Sequence, residues 1–163
     1  MPMQSSLGAK GEDDYKLKVG MTSDEIEWRL NEALKEIPEA IGINNHQGSK
    51  ATTDGKVMGV VASVLKQKNK IFLDSRTSSK TVGEKTMRTY GVPTARRHVF
   101  LDNDLDIDKI SQQLEKLVKV SKKNGIAIGI GHVKTNTLKV LKEEIPKLSD
   151  KGYEFKFLSQ VVN

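Results

Sequence analysis

The sequence predicts an α/β fold with a parallel sheet. Two observations carry this. Short apolar runs alternate with amphipathic helical patterns, and the runs recur about every 27–30 residues, in the size range of one βα unit. No sequence repeat accompanies that spacing, so it marks an architecture rather than a solenoid. A third observation concerns function. Four of the apolar runs end in polar, chemically able residues, and in parallel α/β folds ligand sites gather at the carboxyl ends of strands.

Residues 1–21 are polar and glycine-bearing (Gly8, Gly11, Gly20) and read as a loop-like segment. Thr22-Ser23-Asp24-Glu25 is a capping box. Ile26, Leu30, Ala33, Leu34 and Ile37 follow helical spacing up to Pro38. A strand near 40–44 comes next, then a helix marked by Val57, Val60, Val61, Val64 and Leu65. A second strand near 70–74 precedes a helix over Thr81–Tyr90, closed by Gly91 and Pro93. The third strand lies near 97–101. A strongly amphipathic helix through Ile107, Ile110, Leu114, Leu117 and Val118 ends at Asn124-Gly125. The fourth strand, near 126–130, is almost wholly apolar, as expected of one buried on both faces. A helix over Thr137–Leu148 is expected to break or end near Pro146, and a last strand lies near 153–157. Five strands are too few for an eight-stranded barrel. Either the sheet is open, or the chain is the latter part of a larger barrel.

The 163 residues fit one domain with a real core, and 36% hydrophobic with 29% charged residues reads as globular. With no cysteine, disulfides, thiolate ligands and a cysteine nucleophile are excluded. No run approaches the ~20 apolar residues of a membrane span, and the amino terminus has no signal-peptide core. The net charge of +6 comes mostly from lysines dotted along helices among acidic residues. Clustered arginines and stacking aromatics are missing, so a nucleic-acid partner is not expected.

The polar strand ends hold the candidate chemistry. Gly42-Ile43-Asn44-Asn45-His46-Gln47-Gly48-Ser49 brings two amides, an imidazole and a hydroxyl to one strand end. Buried without partners, such groups would be costly. His46 suits a metal ligand or general base, or a loop hydrogen bond. Asp74 and Arg76 follow the second strand. Asp74 suits a metal ligand or an orienter of a histidine, Arg76 suits an anion, and the two could equally brace the loop. Asp102 and Asn103 follow the third strand, where Asp102 could pair Arg96 or Arg97. Asp104, Asp106 and Asp108 suit a helix start. His132 follows Gly131 at the fourth strand end, placed either for chemistry or to cap the next helix. His98, at a strand start, is given no role. No Gly-x-Ser-x-Gly marks Ser49 or Ser75 as a nucleophile, and Gly83-Glu84-Lys85-Thr86 lacks the leading glycine of a phosphate loop.

The segments Gly-Ile-Asn-Asn-His-Gln-Gly-Ser (42–49), Phe-Leu-Asp-Ser-Arg-Thr-Ser (72–78), Val-Phe-Leu-Asp-Asn (99–103) and Ile-Gly-His (130–132) resemble, in order and spacing, the divergent polysaccharide deacetylase family. Gly91-Val92-Pro93 matches it too. The resemblance implies a seven-stranded (β/α) barrel and a metal-dependent hydrolase that removes acetyl groups from polysaccharide. It implies a divalent metal, zinc, with His46 as a ligand. Asp74 is then a catalytic base or orienter and His132 a catalytic acid, with Asn44, Asn45, Arg76 and Asp102 as substrate contacts. An alternative is a glycan-binding or cell-envelope scaffold that kept the fold and lost the chemistry. A full-length parent is expected in the cell envelope or secreted.

Met1-Pro2-Met3 looks like the tail of the family's His-x-Pro-Met motif. The chain then corresponds to the last two-thirds of the domain, incomplete at its amino end and lacking the Asp-Asp strand and a histidine. One imidazole does not hold zinc tightly, since catalytic sites use about three protein ligands. The 163 residues alone are therefore expected to bind zinc weakly and to release no acetate. Isothermal titration checks this, and tight one-to-one binding would show that the ligands lie elsewhere.

Overall fold

The structure is a computed structural model that describes residues 1–7 and 14–162. Gly8 and Gly11 of the expected amino-terminal loop lie outside the described residues. The chain divides into two compact units, Met1–Arg96 with Leu158–Asn163, and Arg97–Phe157.

In the first unit, strand β1 (Pro2–Met3) opens the chain and helix α1 (Ser23–Glu36) follows. The Thr22–Glu25 capping box forms as the sequence predicts. The Thr22 hydroxyl accepts from the Glu25 N–H at 3.2 Å, and the Glu25 carboxylate accepts from the Thr22 N–H at 2.7 Å. That second bond holds the Glu25 carboxyl below its ordinary value. Next come β2 (Gly42–Asn44), β3 (His46–Gln47) and helix α2 (Gly55–Gln67). Asp54 caps α2 by accepting from the Val57 N–H at 2.9 Å. Strand β4 (Ile71–Asp74), helix α3 (Gly83–Thr89) and strand β5 (Thr94–Arg96) complete the α/β run. Pairing is parallel throughout: β2–β4–β5 make one sheet and β1–β3 another. Ile26, Leu30 and Leu34 of α1 and Val57, Met58, Val61 and Leu65 of α2 share one buried core with Phe72 and Met87.

In the second unit, β6 (Val99–Phe100) pairs in parallel with β7 (Gly129–Ile130). Between them runs α4 (Ile107–Asn124), capped by Asp106, whose carboxylate accepts from the Lys109 N–H at 3.1 Å. The acidic stretch is therefore structural, as its position predicts. Helix α4 ends where expected, with Gly125 at φ +77°, a left-handed turn that favours glycine. Helix α5 (Thr135–Asp150) packs on α4 through Ile110, Leu114 and Val140.

Four expectations need correction. Residues 153–157 form no strand. Phe155 and Phe157 are exposed and Glu154 pairs locally with Lys156 at 2.5 Å, so the alternating pattern finds no apolar face to cover. The stretch 126–130 is not buried on both faces. Only Gly129–Ile130 pair, both half-buried, and Ile126 is exposed, because β6 is the one strand beside it among the described residues of this unit. The first 21 residues are not all loop, since Pro2–Met3 add a strand and Leu17 bridges Met3. Helix α5 runs on through Pro146, an exposed position where solvent can take the carbonyl that proline leaves unbonded.

Phe72 lies fully buried in the core of the first unit. Phe72→Ala should cost about 3–5 kcal/mol, read as a lower urea midpoint. Exposed Ile41→Ala should leave the midpoint within about 0.5 kcal/mol of the parent.

Candidate functional site

Two buried carboxylates terminate the two strand systems. In the first unit Asp74 closes β4 and is only 1% exposed. One oxygen accepts from the Arg76 N–H at 2.8 Å. The other accepts from the Thr81 hydroxyl at 2.9 Å and from the Glu84 N–H at 3.2 Å, at the start of α3. Gly83 permits this approach, because a Cβ there would stand 2.7 Å from that second oxygen. Asp74 thus ties the strand end to the first turn of α3, with two backbone N–H groups and one hydroxyl as its donors among the described residues. Its contact with Arg76 is through backbone rather than guanidinium. Arg76 itself sits at φ +49°, a left-handed conformation unusual for a long side chain.

The amides work beside it. Asn45 is buried. It accepts from the Ser75 N–H at 2.8 Å and donates to the Gln47 carbonyl at 2.8 Å and to the Thr77 hydroxyl at 3.3 Å. Asn44 is exposed and donates to the Ser75 hydroxyl at 3.0 Å. Thr77 also donates to the Gln47 carbonyl at 2.7 Å. The loops after β2 and β4 are thereby stitched together. Asn45 acts as a brace, while Asn44 is exposed. His46 does not end β2. It lies in β3, exposed, with its N–H donating to the Met1 carbonyl at 2.9 Å.

In the second unit Asp102 and His132 come together. The Asp102 side chain is fully buried and the His132 side chain is 47% exposed, so the pair has one sheltered and one open end. Imidazole Nδ1 stands 3.0 Å from Oδ1, while Oδ2 accepts from the His132 N–H at 2.6 Å and from the Thr137 hydroxyl at 2.8 Å. Burial alone would raise the Asp102 carboxyl. The bonds from the His132 N–H, the Thr137 hydroxyl and the imidazole outweigh it and hold the group below its ordinary value. The Phe100 ring packs 5.5 Å from the imidazole, with Arg97 over Phe100 at 5.3 Å. Because a carboxylate only accepts, Nδ1 carries the proton of the neutral ring, and Nε2 is the nitrogen that Asp102 leaves for other chemistry.

This geometry revises several expectations. Asp102 is neither an Arg96 or Arg97 partner nor placed to touch a ligand, since its side chain is buried and both its oxygens are engaged. The orienting carboxylate expected at Asp74 is Asp102. His132 does not cap α5, whose N-cap is Lys134. His98, given no role, clasps β6 to β7 by accepting the Ile128 N–H on Nδ1 at 2.9 Å. Thr137 was missed altogether. The legible signal was an aspartate and a Gly-His at the ends of neighbouring parallel strands, with a hydroxyl five residues after the histidine.

The metal implied by the resemblance is not accommodated by these residues. Among the described residues no three or more His, Cys, Asp or Glu side chains gather into a ligand set. His46 alone does not supply one. No helix among the described residues is long and apolar enough to cross a membrane.

Parallel strands, intervening helices and polar strand ends define an α/β protein of deacetylase-like fold. The chain belongs to the divergent polysaccharide deacetylase family, whose model matches residues 1–162. It is 37% identical over 150 residues to an uncharacterized protein of Haemophilus influenzae Rd, covering 92% of this chain and 53% of that protein. It is 36% identical over 132 residues to the uncharacterized protein YibQ of Escherichia coli K12, covering 81% of this chain and 41% of that one. The crystal structure of an uncharacterized protein from Agrobacterium tumefaciens C58 matches with a TM-score of 0.95 at 18% identity, over 99% of this chain and 66% of that chain. That likeness speaks to the fold. The chain spans about half the length of the curated relatives it matches.

Asp102 sets a pH dependence. Its folded pKa lies below the unfolded value of about 3.9. The stability this contributes is fully present above the unfolded value and is lost as pH falls through the folded one. Urea midpoints followed downward from pH 6 should therefore drop below about pH 4, and the drop should be shallower in Asp102→Asn, which starts from a lower midpoint. Parallel curves would show that Asp102 contributes nothing to acid sensitivity.

Proposed function

We propose that this chain provides the proton-transfer half of a carbohydrate deacetylase-like hydrolase acting on acetylated polysaccharide. The observation that carries the reading is the His132–Asp102 pair, together with membership of the family. A half-exposed imidazole held through Nδ1 by a buried carboxylate presents Nε2 to a substrate. The carboxylate stabilises the imidazolium, so the ring can hold a proton and deliver it to a departing amine or alkoxide. Such transfer is typically worth about 10²–10⁴ in rate. Within the first unit, taken by itself, Asn44 and Arg76 are proposed as polysaccharide contacts, and Asn45 braces the loops that carry them. A ligand role for His46 would need further donors.

The finer architecture belongs to the same proposal: residues 1–163 as a single partial domain, part of a (β/α) barrel of the seven-stranded deacetylase type. Uniformly parallel pairing and the recurring βα spacing support it.

The test is acetate release from N- and O-acetylated oligosaccharides by a longer form that adds, ahead of Met1, an Asp-Asp strand and the histidine that completes His-x-Pro-Met. His132→Ala should lower the rate by about 10²–10⁴, and Asp102→Asn should lower it too. Undiminished release in His132→Ala would refute the assignment. Glycan retention with no acetate release would favour the scaffold reading instead.

A further inference from the structure

Thr137 lies against the His132–Asp102 pair. It is 1% exposed, lies in the first turn of α5, and donates its hydroxyl to Asp102 Oδ2 at 2.8 Å. The two oxygens of Asp102 are therefore loaded unequally. Oδ2 accepts two donors, the His132 N–H and Thr137, while Oδ1 faces the imidazole. Hydrogen bonds to a carboxylate stabilise its charge and reduce what is left for another partner. Two further features keep Thr137 in place. Asn136, beside it, donates to the Leu105 carbonyl at 2.8 Å and ties the loop after β6 to the same helical turn. Gly131 leaves room for the contact, since a Cβ there would meet both Asp102 Oδ2 and the Thr137 methyl at 3.3 Å.

We infer that Thr137 is a positioning residue that sets the proton affinity of His132 by drawing Asp102 charge toward Oδ2 and away from the imidazole. This rests on the reading that His132 is the proton-transfer group. Without the Thr137 hydroxyl, negative charge returns to Oδ1 and the imidazolium gains stability. In the reaction, Thr137 would hold His132 acidic enough to release its proton to the leaving group. Arg97 lies over the Phe100 ring that packs on the imidazole, and Lys134 is two residues beyond His132 in sequence. Substitution at 137 leaves both intact.

The experiment is NMR titration of the imidazoles in the 163-residue chain. It has three histidines, so His132→Gln suffices to assign the signal. Thr137→Val keeps the shape and removes the donor. It should raise the His132 titration midpoint by about half a pH unit, roughly a threefold gain in proton affinity. Thr137→Ser restores a hydroxyl and should titrate like the parent. If Thr137→Val does not fold, Thr137→Ala removes the donor without bulk and carries the same expectation. An unchanged or lowered midpoint on loss of the hydroxyl overturns the inference, as does a serine variant that titrates like valine. The readout is proton binding, so an absence of deacetylase activity would count against the proposed function and leave this result standing.

Discussion

A carboxylate buried at a strand end must be fully hydrogen-bonded, because desolvating an unpaired charge costs several kcal/mol. That constraint organises both units of this chain. Asp74 and Asp102 each follow a strand, and each accepts from a threonine hydroxyl beside or within the first turn of a helix. Each is also approached by a glycine, Gly83 or Gly131, whose missing Cβ lets backbone come close. The chemical difference lies in the remaining donors. Backbone N–H groups complete Asp74, which ties the end of β4 to the first turn of α3. An imidazole completes Asp102, and the proposed proton-transfer role of His132 rests on that contact.

This pairing accounts for what was legible in the sequence. Helix limits were written locally, as Thr22 with Glu25, Asp106 and Gly125 show, because caps involve residues three or four apart. Strand ends were legible from polar residues following apolar runs. The role of each strand-end residue was not. Whether Asp74 or Asp102 meets a histidine depends on which strands are neighbours, and Asp102 and His132 lie 30 residues apart. His98 was given no role for the same reason, since its partner Ile128 is also 30 residues away.

The misplaced elements have a common origin. The apolar run at 126–130 and the alternating pattern at 153–157 read as strands because pattern reports propensity, while a strand exists only where a neighbour supplies its hydrogen bonds. Two residues of the first run find β6, and none of the second is in a strand. At Pro146 the opposite held. Proline lowers helix propensity, yet α5 continues because Val140, Leu141 and Leu148 keep its apolar face on α4.

Among the described residues this family member sets an imidazole against a buried carboxylate, and no metal-ligand set gathers. The account turns on one proton. If Asp102 orients His132, the neutral ring must carry hydrogen on Nδ1. Long-range 1H–15N correlation of the His132 ring near neutral pH measures this directly. A protonated Nδ1 with Nε2 as the bare nitrogen is the predicted result. A ring protonated on Nε2, with bare Nδ1 facing Asp102, would contradict the account.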